Sequence, residues 1–113
     1  MDNNCIFCKI IKGEIKSEKH YEDENFIIIS DISKRAKYHY LLIPKTHYKL
    51  LSEMTEKDAE ILGGALKKLP HIPNLRLENG YRLIINQGEN AGQTVFHLHI
   101  HVLAGQKMGF NPA

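Results

Sequence analysis

Residues 93–105, "QTVFHLHIHVLAG", carry His97, His99 and His101 at alternate positions of an otherwise apolar run. An imidazole titrates near neutrality, so it can serve as a metal ligand, a proton carrier or a nucleophile. Strand side chains alternate between faces, which predicts the three histidines on one face and Phe96, Leu98, Ile100 and Val102 on the core face. Three histidines merely exposed on a solvent face is the bland alternative, but such a face normally carries Thr, Lys or Glu. Two chemical readings remain. Imidazoles at i, i+2 and i+4 converge on a small volume and could ligate a metal. Alternatively, one ring attacks phosphorus while its neighbours position it and bind anionic oxygen, which splits one hard displacement into two easier ones.

The preceding loop, "NQGENAGQT", favours the second reading. Gly88 and Gly92 would let backbone N–H groups approach an anion closely. Asn86, Gln93 and Thr94 add uncharged side-chain donors. Joined directly to convergent histidines, this suggests a phosphate attacked by a ring nitrogen.

These residues need a scaffold, and the chain has the means for one. Its 113 residues are 42 % hydrophobic and 25 % charged, the balance of one globular domain, which we place at residues 4–113. A net charge of +2 with scattered lysines argues against a nucleic-acid groove or an anionic membrane surface. The basic run "SKRAK" at 33–37 reads as a solvated loop. No apolar run is long enough for a membrane span and no signal peptide is visible, so a cytoplasmic location is expected.

Apolar spacing in "CIFCKIIKGEI" predicts a short helix ended by Gly13. "HYEDENFIIIS" predicts a hairpin, and "YHYLLIP" a third strand stopped by Pro44. Thr55 and Asp58 predict a capped helix with a stripe of Ala59, Leu62, Leu66 and Leu69, ended by Pro70. "YRLIINQ" and the histidine run are the fourth and fifth strands. Together they describe an α+β domain: an antiparallel sheet of about five strands with two helices, set on one face.

The motifs "IFCKIIKGEI", "YEDENF", "DIS", "IPKTH" and "NQGENAGQTVFHLHIHVLAG" resemble the histidine triad (HIT) family of nucleotide hydrolases and transferases over nearly the whole chain. "LAGQKM" after the triad is similar to the Hint branch, the purine nucleoside phosphoramidases. The Fhit-type hydrolases carry Pro-Arg there, which this chain lacks. The uridylyltransferase branch replaces the last triad histidine by Gln, whereas His101 is intact.

The resemblance implies a HIT-like fold whose sheet extends across a homodimer, and a small-molecule purine nucleotide as substrate. His99 would attack the α-phosphorus of a nucleoside phosphoramidate, and water would then release a nucleoside monophosphate. His101 would hydrogen-bond the phosphoryl oxygens, His97 and His39 would orient the site, and Thr94 would contact the scissile group. Asn86 and the amides near Gly92 and Gln93 would bind the phosphate. Asp31 would accept from the ribose hydroxyls, with Phe7, Ile10, Ile29 and Ile32 around the base. Each apolar residue also reads as core, and Asp31 as turn chemistry.

Cys5 and Cys8 form a Cys-x-x-Cys pair which, with spare histidines, invites a zinc reading. Many bacterial HIT proteins with these cysteines hold zinc through two Cys and two His, which implies Cys5, Cys8, His47 and His97. The metal would be structural, with none used in catalysis. The branch's C-terminal segment reaches the partner's site, and Phe110 falls where Trp is common. Two rival functions use the same residues: hydrolysis of dinucleoside polyphosphates, and a non-catalytic nucleotide-binding module. A third rival is a zinc protein whose histidines are mainly ligands.

Overall fold

The computed structural model describes residues 4–109, so Phe110 and the end of the tail lie outside the described residues. Strands β1 (Lys19–Glu22), β2 (Phe26–Ser30), β3 (Tyr38–Pro44), β4 (Tyr81–Ile84) and β5 (Ile100–Ala104) form one sheet in the order β1-β2-β3-β5-β4. Every neighbouring pair is antiparallel. Helices α1 (Ile6–Ile11) and α2 (Glu56–Lys68) complete the two-helix, five-strand architecture.

The β1–β2 turn is closed by Asp23, whose Oδ1 accepts the N–H groups of Asn25 and Phe26 at 2.8 Å each. This is the local bond that makes Asp a turn residue. The run "FIII" of β2 is buried on both faces. Ile28 and Leu42 pack with Leu62 and Leu69 on the α2 side. Ile27, Ile29, Leu41 and Ile43 pack with Phe7 and Cys8 of α1 on the other. The helices therefore cover opposite faces of the sheet, not one face as the pattern suggested. A run with no polar alternation is what such a twice-covered strand requires.

Thr55 caps α2 with a full capping box: its side chain accepts from Asp58 N–H, and the Asp58 carboxylate accepts from Thr55 N–H. Leu62, Leu69, Ile61, Ala65 and Leu66 face the sheet. Leu62, Leu66 and Leu69 keep the face expected of them, while Ala59, the first residue of that stripe, is exposed. After Lys68 the chain tightens into a 3₁₀ turn, Leu69–His71, containing Pro70.

The histidine run departs most from expectation. β5 begins only at Ile100, paired with Leu42, so His97 and His99 precede the strand. Pro44, which ends β3, has no N–H to offer a longer ladder. Leu98 N–H donates to the Tyr48 carbonyl at 2.7 Å instead. Leu98, Ile100 and Val102 are fully buried as expected, but Phe96 is 44 % exposed. Among the described residues, no helix is long and apolar enough to cross a membrane.

Candidate active site

The end of β5, the loop before it and α1 enclose a cavity of about 730 Å³. His99 and His101 line it with His39 of β3, which sits beside β5 in the sheet. Phe7, Ile10 and Ile29 give it an apolar wall, and Asp31, Asn86 and Thr94 contribute polar groups. A second cleft, bounded by Lys37, Arg76 and Lys107, contains none of the candidate catalytic, nucleotide-binding or metal residues named above.

The hydrogen-bond network assigns a tautomer to each ring. Nδ1 of His99 lies 2.7 Å from the main-chain carbonyl of His97, which can only accept, so Nδ1 carries the proton. In the neutral ring this leaves the lone pair on Nε2. Nδ1 of His39 accepts from Arg35 N–H at 3.1 Å, which places the His39 proton on Nε2. That atom is 2.9 Å from Nδ1 of His101 and 3.3 Å from Oδ2 of Asp31. Donation to His101 makes Nδ1 of His101 the acceptor and leaves its proton on Nε2. One ring therefore presents a lone pair, and its neighbour, 5.1 Å away between centroids, presents a donor.

The electrostatics favour the neutral form of His101 and His39. Burial pushes His101 down to about 4; His99, His39 and Arg35 act in the same direction, and Asp31 opposes them. Burial also lowers His39, against the pull of Asp31, with Arg35 again lowering. Neutral His39 and His101 rings preserve the donor-to-acceptor bond between them, which leaves the His101 proton on Nε2.

His97 turns away from the cavity. Its Nε2–H donates to the Pro44 carbonyl at 2.8 Å, so the Nδ1 lone pair is available. That atom lies 3.3 Å from Cys5 Sγ, 3.6 Å from Cys8 Sγ and 3.1 Å from Nδ1 of His47. Cys8 Sγ is 3.2 Å from the same His47 atom. Cys5, Cys8, His47 and His97 thus converge with ligand atoms within 4.8 Å of one another. A zinc ion with bonds of about 2.0–2.3 Å would space tetrahedral ligands about 3.3–3.8 Å apart, and two sulfurs with two imidazoles are ordinary zinc donors. The four residues fit a metal. Burial pushes His97 down to about 4, the Pro44 carbonyl opposes, and His47 and His99 lower it further, so the ring is in the neutral form a ligand needs.

Asp31, His39 and His101 also gather within metal-binding range. Their protons argue otherwise: His39 accepts at Nδ1, so Nε2 already holds the proton that a metal would have to replace.

Comparison with known proteins bears on this arrangement. The family model described as "Scavenger mRNA decapping enzyme C-term binding" matches residues 4–111. An uncharacterized HIT-like protein of Chlamydia muridarum is 45 % identical over 105 residues, covering 92 % of this chain and 83 % of that one. Protein HitA of Neisseria gonorrhoeae is 41 % identical over 102 residues, covering 89 % and 95 %. A HIT family hydrolase from Clostridium thermocellum superposes with a TM-score of 0.87 at 46 % identity, each chain covered in full. This chain belongs to the histidine triad family. A histidine triad protein from Clostridium difficile is also similar, with a TM-score of 0.86, 38 % identity and 98 % of each chain covered.

In this histidine triad protein the triad is divided. His99 and His101 face the cavity and His97 faces the cysteines, so the His97 ring does not join His39 in orienting the site. Its carbonyl orients His99 instead. The glycine loop also works differently from expectation. Gly92 N–H donates to the Glu89 carbonyl and Gln93 N–H to the Gly88 carbonyl, so neither amide is left for a phosphate. Gly88 and Gly92 are needed for their positive φ angles of 88° and 90°. The Gln93 side chain is buried, accepting from Gly88 N–H at 2.8 Å and donating to the Lys49 and Val95 carbonyls. Asp31 accepts from Ser33 N–H at 2.8 Å, the turn contact, while also lining the cavity 3.3 Å from His39. Ile32 stands on the cavity rim, 98 % exposed. Arg35 and Lys16, which sequence reasoning passed over, also line the cavity. Their only sequence signal was charge, which a solvated loop carries equally well.

Proposed function

We propose that this protein hydrolyses purine nucleoside 5'-phosphoramidates in two displacements through His99. The observation that carries the reading is the paired tautomer assignment, a lone pair on His99 Nε2 beside an N–H on His101 Nε2. His99 Nε2 attacks the α-phosphorus, a phosphorus–nitrogen bond to the ring forms, and the substrate's own P–N bond breaks. The amine leaves with that electron pair and takes up a proton. Water then displaces the ring and releases the nucleoside monophosphate. His101 donates to the phosphoryl oxygens, where negative charge grows in the transition state. Thr94 and Asn86 contact the phosphate and the leaving side. Phe7, Ile10, Ile29 and Ile32 enclose the base, and Asp31 accepts from the ribose. Purine preference and membership of the Hint branch rest on the resemblance of the motifs.

Cys5, Cys8, His47 and His97 would hold a structural zinc ion, which cross-links α1 to the segment before β5 when bound. A homodimer is supported by β4, an edge strand on which Tyr81 and Leu83 stay 37 % and 39 % exposed. Pairing of that edge with a second copy would extend the sheet and cover both side chains.

One observation favours a second reading. Arg35 and Lys16 line the cavity, and among the described residues neither has a carboxylate partner in an ion pair. Two such cations suit a dinucleoside polyphosphate, cleaved by the same nucleophile. Turnover of adenosine phosphoramidate and of diadenosine polyphosphates, followed as AMP release, separates the two. A phosphoramidase prefers the first in kcat/KM. Preference for the second would replace the reading, and turnover of neither, with tight AMP binding, would indicate a binding module.

A further inference from the structure

The nucleophile sits on a segment that the sheet does not hold. β5 pairing starts at Ile100, so the position of the His97 carbonyl depends on what anchors residues 97–99 individually. Three contacts do so. Leu98 N–H reaches the Tyr48 carbonyl at 2.7 Å, the His97 ring reaches the Pro44 carbonyl, and His97 Nδ1 points into the cysteine–histidine cluster. The same cluster fixes the start of α1: Cys5 is its N-cap, and its sulfur accepts from Cys8 N–H. Two residues after Cys5, Phe7 packs edge-on against both His97 and His99, with centroids 5.8 Å and 5.0 Å away.

We infer that a metal ion held by Cys5, Cys8, His47 and His97 sets the position of the nucleophile, making these four residues positioning residues for the reaction at His99. The inference rests on the proposed hydrolase reading for its kinetic part. The metal takes no part in the displacement. Its effect passes through one atom, the His97 carbonyl oxygen, which holds the His99 Nδ1 proton. When the ligand shell is empty, the His97 ring keeps the Pro44 bond but loses its second anchor. Its carbonyl then ceases to hold His99 in one tautomer and one orientation. The opposite face of the sheet, packed under α2, shares no residue with the cluster, so the fold should outlast metal loss.

The test is to strip zinc from the purified protein with a chelator, reload it with zinc sulfate, and make four measurements on each form. They are far-UV circular dichroism, AMP affinity by calorimetry, kcat on adenosine phosphoramidate, and the ¹⁵N-imidazole spectrum, with the His99 Nδ1–H signal assigned by its absence in His99→Gln. We expect a retained fold and AMP affinity within about threefold. We expect kcat to fall about 10–100-fold, as when an orienting partner is lost, and the His99 Nδ1–H signal to disappear; all should recover on reloading. His47→Ala should reproduce these effects with both cysteines intact. A His99 signal or kcat indifferent to zinc would overturn the inference. So would global unfolding on chelation, or a purified protein that takes up no zinc. If the loaded protein turns over no phosphoramidate, the hydrolase reading fails, while the His99 signal still decides the coupling.

Discussion

His99 donates its Nδ1 proton to the main-chain carbonyl of His97 across 2.7 Å. Two histidines of one motif are thereby joined through backbone and ring, while their rings face different sites. The bond fixes which nitrogen of His99 carries the lone pair, and it ties that choice to a residue whose own ring belongs to the cysteine–histidine cluster.

Replacing the nucleophile should separate chemistry from binding. His99→Gln keeps a polar side chain of similar length but offers no nitrogen lone pair. We predict that kcat falls at least about 10³-fold, in line with loss of a covalent nucleophile, with AMP affinity changed by less than about threefold. Steady-state AMP release and calorimetry on the same sample check it.

The relay from His39 to His101 predicts an order of effects. His101→Ala removes the donor to the phosphoryl oxygens and should cost about 10²–10³-fold in kcat. His39→Ala leaves that donor in place but frees the His101 ring to take either tautomer, so its cost should be smaller, about tenfold. Measured rates in the reverse order would show that His39, and not His101, meets the substrate.

Stability should decline on acidification because the partly buried His101 is held neutral. Its pKa falls from 6.5 to about 4 on folding, so the unfolded chain binds more protons between those values, and unfolding free energy rises with pH across that window. The contribution is fully present above about 6.5 and is lost as pH falls toward 4. The loss is on the order of 2 kcal/mol by pH 4.5. Urea unfolding at pH 7.0, 5.5 and 4.5 should show this slope, and His101→Asn, compared at the same metal loading, should flatten it.

The capping box of α2 gives a stability effect without a functional one. Thr55→Ala removes the acceptor for Asp58 N–H, which stands 3.1 Å away. A loss of about 1 kcal/mol in urea unfolding is expected, with kcat unchanged, since α2 covers the face of the sheet opposite α1.

Much of the fold was legible because local chemistry agreed with the tertiary context. The Asp23 turn, the Thr55 cap and the apolar runs of β2 and β3 each specify their own element. The histidine run misled because alternation reports a strand only where a partner can supply a ladder. Pro44 ends that ladder from a distance of 53 residues, so no window around His97 contains the reason. The glycine loop misled for a related cause. Gly88 and Gly92 were rightly singled out, but whether an amide is free depends on the turn it closes, and here the 3₁₀ turn Glu89–Ala91 uses both following amides. The cluster of Cys5, Cys8, His47 and His97 was reached through family resemblance, since spacing alone ties Cys5 only to Cys8.

The most direct test of the central claim is an early-quenched intact mass of the protein mixed with adenosine phosphoramidate, beside His99→Gln. The account predicts a transient adenylyl adduct on the wild type, mapped to His99 and absent from the variant. A wild type that releases AMP while His99→Gln releases it at an equal rate, with no adduct on either, would contradict it.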